Sequence, residues 1–143
     1  MTELDIQIQV ADYLRLRYPN VLFHSDYGSG LRLTPGQAVK QKRLQGGRRA
    51  WPDVMVAETV LKHQEGSTYT AYSGLFIELK RPDVKIRKKN GELVANEHIR
   101  EQAALLNELR NRGYIAEFAC GFDEAKKIID EYLGGSEAEE VEF

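Results

Sequence analysis

Two short runs stand out in the pattern of hydrophobic and polar positions: Trp51-Pro52-Asp53-Val54-Met55-Val56 and Gly74-Leu75-Phe76-Ile77-Glu78-Leu79-Lys80. Each is apolar enough for a central β-strand. Before them, Ile6, Val10, Tyr13, Leu14 and Arg17 recur at helical spacing and predict a helix over 3–18. Thr2 is placed to cap it, with Asp5 three residues on, and Pro19-Asn20 ends it. Val21–His24 reads as a short strand, and the turn-rich 25–30 lacks the strand-to-helix setting of a dinucleotide fingerprint. Thr34-Pro35 opens a short helix over Gly36–Leu44, stopped by Gly46-Gly47. A strand over Asp53–Val60, a polar loop over Lys62–Ser67 and an edge strand over Thr68–Tyr72 lead into Leu75–Lys80. Pro82 breaks that strand, and Val84–Ala95 reads as a charged hairpin or basic flap around Asn90-Gly91. A helix over Glu97–Asn111, a strand over Tyr114–Cys120 and a helix over Asp123–Leu133 complete the series. This order predicts an α/β fold, a central mixed β-sheet flanked by helices, in one domain over 1–135. Gly134-Gly135 opens an acidic tail, expected to be disordered over 136–143.

Composition changes this picture little. At 143 residues, 42% hydrophobic and 29% charged, the chain suits one globular domain with a real core. No stretch is apolar for long enough to span a bilayer, so no membrane partner is expected. One cysteine, Cys120, excludes a disulfide framework and a zinc cluster. His24, His63 and His98 lack metal-ligand spacing. With no signal-peptide layout at the N-terminus, a cytoplasmic location is expected.

Charge changes it more. The net value is −2, but four glutamates and no base lie between Ser136 and Phe143, so the body without them stands at +2. Two basic clusters lie within it: Lys40, Lys42, Arg43, Arg48 and Arg49, then Arg81, Lys85, Arg87, Lys88 and Lys89 beyond Lys80. They suit a phosphate-bearing partner, although solvated loops would look the same.

The two apolar runs carry the chemistry. Asp53 begins one, and Glu78 and Lys80 end the other on a single strand face, ~7 Å apart. Burying such groups without partners costs several kcal/mol each. A divalent metal and a phosphodiester would offset that cost. The alternative is a strand-start Asp53 with a Glu78–Lys80 ion pair on an exposed edge, which the apolar flanks oppose. Glu3 and Gln7 share a helix face, and first-turn placement alone would also account for Glu3. Gln102 by itself could be a solvated helix residue. Trp51 and Tyr114 read as core or site-wall packing, with base stacking the lesser alternative.

Pro52-Asp53 followed by Glu78-Leu79-Lys80 resembles the PD-(D/E)XK nuclease signature. Gly74–Pro82, Glu101-Gln102, Gly113-Tyr114 and Gly121–Ala125 narrow the resemblance to its VRR-NUC branch, over residues 3–133. The resemblance implies a restriction-endonuclease-like core and a metal-dependent endonuclease that hydrolyses DNA, selective for branched or junction structures. It implies Mg²⁺ or Mn²⁺ held by Asp53, Glu78, the Leu79 carbonyl and Glu3, with Asp5 the lesser alternative to Glu3, and Lys80 orienting the attacking water. Gln102 would support them. Stand-alone domains of this kind resemble junction resolvases, so a homodimer is expected. A catalytically inert nucleic-acid-binding module of the same fold is the alternative.

Overall fold

The computed structural model describes residues 1–26 and 32–141, with side chains to Gly134. Thr2 begins the chain's order. Its hydroxyl accepts from the Asp5 N–H, the Asp5 carboxylate accepts from the Thr2 N–H, and helix α1 follows over Glu3–Arg17. Strand β1 is Phe23–Ser25. Helix α2, Pro35–Leu44, opens with the same reciprocal cap between Thr34 and Gln37, yet buries no residue. Strands β2 (Val54–Val56), β3 (Val60–Gln64), β4 (Ser67–Tyr72) and β5 (Leu75–Lys80) come next. Helix α3 (Glu97–Asn111), strand β6 (Ile115–Cys120) and helix α4 (Phe122–Val141) end the order.

The main sheet runs β1-β2-β5-β6, antiparallel except for the β5–β6 pair, which α3 connects as a βαβ unit. It is the mixed α/β sheet expected. Alternation along β5 divides the core in two. Leu75, Ile77 and Leu79 face Ile6, Val10 and Leu14 of α1 and Ile129 of α4. Phe76 faces Leu105, Leu106 and Leu109 of α3. All six β5 residues are buried. Glu78 and Lys80 therefore lie on the α3 face, inside the molecule rather than on an exposed edge.

Three expectations change. The strand over Asp53–Val60 ends at Val56, and the polar loop over Lys62–Ser67 is a two-stranded ladder of β3 and β4. Both strands are exposed on both faces, so no alternation marks them. Their turn is Glu65-Gly66, both at positive φ (51° and 79°), the left-handed geometry of a tight hairpin that glycine accepts at no cost. The 84–95 hairpin does turn at Asn90-Gly91 and is short, pairing at Arg87 and Leu93 between backbone bonds from the Lys88 N–H to the Glu92 carbonyl and from the Val94 N–H to the Ile86 carbonyl. Finally, α4 runs past Gly134, where glycine was expected to stop it. The acidic side chains of 136–143 lie outside the described residues, as do Tyr27–Gly30. No helix among the described residues is long and apolar enough to cross a membrane.

Candidate active site

The site lies where β2 meets β5. The last ladder pair at this end is Val54 with Ile77, and the next position sets Asp53 beside Glu78. Pro52 has no N–H to continue the ladder. The Asp53 carboxylate takes over, its Oδ2 accepting from the Leu79 N–H at 2.8 Å. The Asp53 backbone is held from the other side, its carbonyl accepting from Ser25 Oγ at 2.9 Å and from the Asp26 N–H at 3.1 Å. Gln7, buried in the α1 stripe between Ile6 and Val10, donates Nε2 to Ser25 Oγ (2.6 Å) and to the Asp26 carbonyl (2.8 Å). A chain of hydrogen bonds thus fixes Asp53 from α1 through β1.

Four polar side chains converge on the α3 face: Asp53 (8% exposed), Glu78 (4%), Lys80 (7%) and Gln102 (4%). Glu78 Oε1 accepts from Gln102 Nε2 at 2.6 Å and stands 3.9 Å from Lys80 Nζ. Gln102 occupies a place in the buried stripe of α3 between Ile99 and Leu106, where helical spacing calls for an apolar residue. His98, one turn earlier and exposed, brings Nε2 to 3.2 Å from Gln102 Nε2. The amide can donate to both only if that ring nitrogen is unprotonated.

Charge in this cluster does not balance. Two carboxylates face one ammonium, and Glu78 Oε2 and Gln102 Oε1 are buried without a hydrogen-bond partner. Burial pushes the Glu78 carboxyl well above its ordinary range. The Asp53 charge pushes the same way, Lys80 opposes it, and the Glu3 charge adds a smaller upward push. A proton on Glu78 would relieve the pair. With both ionised, Oε2 faces no donor, an arrangement costly to a fold and suited to a cation. Among the described residues no three His, Cys, Asp or Glu side chains gather as a metal group, and the cluster's carboxylates are Asp53 and Glu78.

The other expected residues divide. Glu3 is exposed in the first turn of α1, and Asp5 is engaged in the Thr2 cap. The Leu79 side chain points into the opposite core, leaving its backbone at the site. Lys42 and Arg49 line a cleft of about 400 Å³ with Asp53, Glu78, His98 and Gln102, whose other wall is Ala38, Val39, Gln41 and Gln45 of α2 and its end. Lys40 and Arg43 are exposed on α2. Arg48 is bound to Glu108 at 2.6 Å, tying the approach to β2 onto α3. Arg81 pairs with Asp83 at 3.4 Å, and Arg87 donates to the Gly91 carbonyl. Lys85, Lys88 and Lys89 are exposed on the 84–95 arm. Sequence reasoning missed Ser25, His98 and the uncharged residues of the α2 wall, Ala38, Val39, Gln41 and Gln45. Only His98 carried a local signal, one helical turn before Gln102.

No protein-family model matches the chain, and no curated protein does either. Among solved structures, one described as a VRR_NUC domain protein superposes with a TM-score of 0.57 at 22% identity, covering 94% of this chain and 89% of that one. The chain has the fold of a VRR_NUC domain, a restriction-endonuclease-like mixed sheet between helices.

Proposed function

We propose that the chain is a metal-dependent endonuclease that hydrolyses phosphodiester bonds in DNA, selective for branched or junction structures and acting as a homodimer. The carrying observation is the unbalanced buried cluster: Asp53, Glu78 and Lys80 on one face of the sheet, with Glu78 Oε2 lacking a donor. Asp53, Glu78 and the Leu79 carbonyl would hold Mg²⁺ or Mn²⁺, hard ions that take one or two carboxylates and retain water. Bound there, the ion supplies Lewis acidity to the phosphate and lowers the pKa of water. Lys80 orients the attacking water and neutralises charge that develops on the phosphate oxygens. Gln102 holds the Glu78 carboxylate in place through its Nε2–H, and Glu3 adds negative charge from the end of α1. One P–O bond of the phosphodiester breaks as the water oxygen joins phosphorus. The water gives up a proton and the departing alkoxide takes one up from solvent, leaving a phosphomonoester and a hydroxyl end. Lys42 and Arg49, beside the cluster, engage the flanking phosphates, with Lys40, Arg43 and the 84–95 arm contributing a wider basic surface.

The test is a panel of linear, flapped and four-way DNA with Mg²⁺ or Mn²⁺, run beside Lys80→Ala. Metal-dependent cleavage by the parent and none by the variant supports the reading. No cleavage of any substrate, or equal cleavage by both, refutes it and leaves the inert DNA-binding module. Light scattering that gave a monomeric mass would refute the dimer separately.

A further inference from the structure

We propose that the cleft between α2 and the sheet admits one unpaired DNA strand, and that Trp51 stacks against a base of that strand beside the scissile phosphate. The inference rests on the nuclease reading and specifies its substrate. Trp51 directly precedes Pro52-Asp53 and lines the same cleft as Asp53 and Glu78. It is 38% exposed although it is the chain's only tryptophan and adjoins the core. Its ring is held rather than loose. The indole Nε1–H donates to the Gln45 carbonyl at 2.9 Å, and the ring leans on Phe76 with centroids 6.4 Å apart. A fixed aromatic plane loses little freedom when a base stacks on it.

The walls match a strand in chemistry and size. Ala38 and Val39 of α2 supply an apolar side, and Lys42 and Arg49 supply two cations that fit the backbone phosphates. About 400 Å³ is the scale of a pocket for one small ligand. Asp53 and Glu78 line the cleft together with residues of α2, so a phosphate reaches them most directly on a strand peeled from its partner. Branched and flapped DNA present such strands.

The tryptophan reports on itself. The intact protein, in EDTA at low salt so that nothing is cut, is titrated with a short labelled oligothymidine while fluorescence and label anisotropy are followed together. The expected result is a fluorescence change that saturates with the anisotropy. Trp51→Leu should then bind the single strand roughly tenfold more weakly or worse, the scale of one lost base–aromatic stack, while Trp51→Phe keeps most of the affinity. Binding to a blunt duplex should change less than about twofold. Thermal melts of both variants check the fold. If Trp51→Leu does not fold, Trp51→Phe and the parent's own fluorescence decide. Binding of the single strand with unchanged fluorescence, equal binding by Trp51→Leu, or no binding at all overturns the proposal. Cleavage on the panel above, abolished in Lys80→Ala, would in those cases leave the nuclease reading standing. Its failure beside intact stacking would remove that reading alone.

Discussion

Two polar clusters sit on opposite faces of the same sheet, and they are built on opposite rules. Between α1 and α4, Asp130 accepts hydrogen bonds from the hydroxyls of Tyr13 and Tyr18 and from Lys126, so one carboxylate meets three donors, one of them cationic. Desolvation pushes the Asp130 carboxyl up, but the bonds from Tyr13, Lys126 and Tyr18 outweigh it and hold it below the ordinary value. On the α3 face, two carboxylates meet one lysine and one amide, an oxygen is left without a donor, and Glu78 is driven up. The first cluster pins two helices together. The second joins a raised Glu78 to an oxygen with no donor, and apolar packing of β2, β5 and α3 holds it in place. A buried carboxylate oxygen without a donor is a candidate ligand position.

The largest expected effect breaks the second cluster chemically. Glu78→Gln keeps the shape and the bond to Gln102 but removes a charge, and cleavage should fall by at least about 10²-fold. Stability should move the other way. One carboxylate then faces one lysine, so the variant should melt about 3 °C higher, corresponding to about 1 kcal/mol. A Glu78→Gln protein that cut normally, or that melted several degrees lower, would show that the cluster is a structural ion pair.

Next in size is the response to divalent cations. Ions that bind only the folded state at a hundred times their dissociation constant add about 2.7 kcal/mol. Mg²⁺ or Mn²⁺ should raise the parent's melting temperature by several degrees, and Glu78→Gln should lose most of that gain. The Asp130 cluster already has its cation in Lys126, so Asp130→Ala should retain the gain in full. Equal stabilisation of the parent and Glu78→Gln would place the cation elsewhere.

Asp130→Ala sharpens the comparison from the other side. Three bonds to a partly exposed carboxylate, discounted for screening by water, amount to about 1–2 kcal/mol lost. The pH dependence follows from the sign of the shift. The Asp130 pKa is lower in the folded state than in the unfolded chain, so its contribution is full above the unfolded value of about 3.9 and fades as pH falls through the folded one. Melting curves between about pH 5 and pH 2 should therefore converge for parent and variant. Curves that stayed parallel would mean that the carboxylate's charge contributes nothing.

The two clusters were also unequally legible in the sequence. Asp53, Glu78 and Lys80 announced themselves because each interrupts an apolar run, a local anomaly that needs no knowledge of the fold. Gln7 is the same kind of anomaly, a polar residue in the stripe of Ile6 and Val10. Its role became visible only when α1 met Ser25, eighteen positions away. The Asp130 cluster joins residues more than a hundred positions apart, and tyrosine and aspartate on helix surfaces look ordinary. The sheet and helices were legible wherever one face is buried. The β3–β4 ladder was not, because both its faces meet water and periodicity has nothing to record.

The smallest effect concerns Glu3, which the motif resemblance makes a third carboxylate of the site. Its charge reaches Glu78 as a minor upward push, yet the side chain is exposed in the first turn of α1 and joins no group of three ligands among the described residues. A residue that acts through its field alone should matter less than one that holds an ion. Added salt should also erase its influence, since exposed charges are screened within about 8 Å at physiological ionic strength. Glu3→Gln is therefore expected to change cleavage by less than about fivefold, and by still less as salt rises, against the 10²-fold or greater loss in Glu78→Gln. A loss as deep as that of Glu78→Gln and insensitive to salt would mean that the end of α1 moves in to supply a ligand, and the cluster would then be a triad of carboxylates closed by substrate or ion.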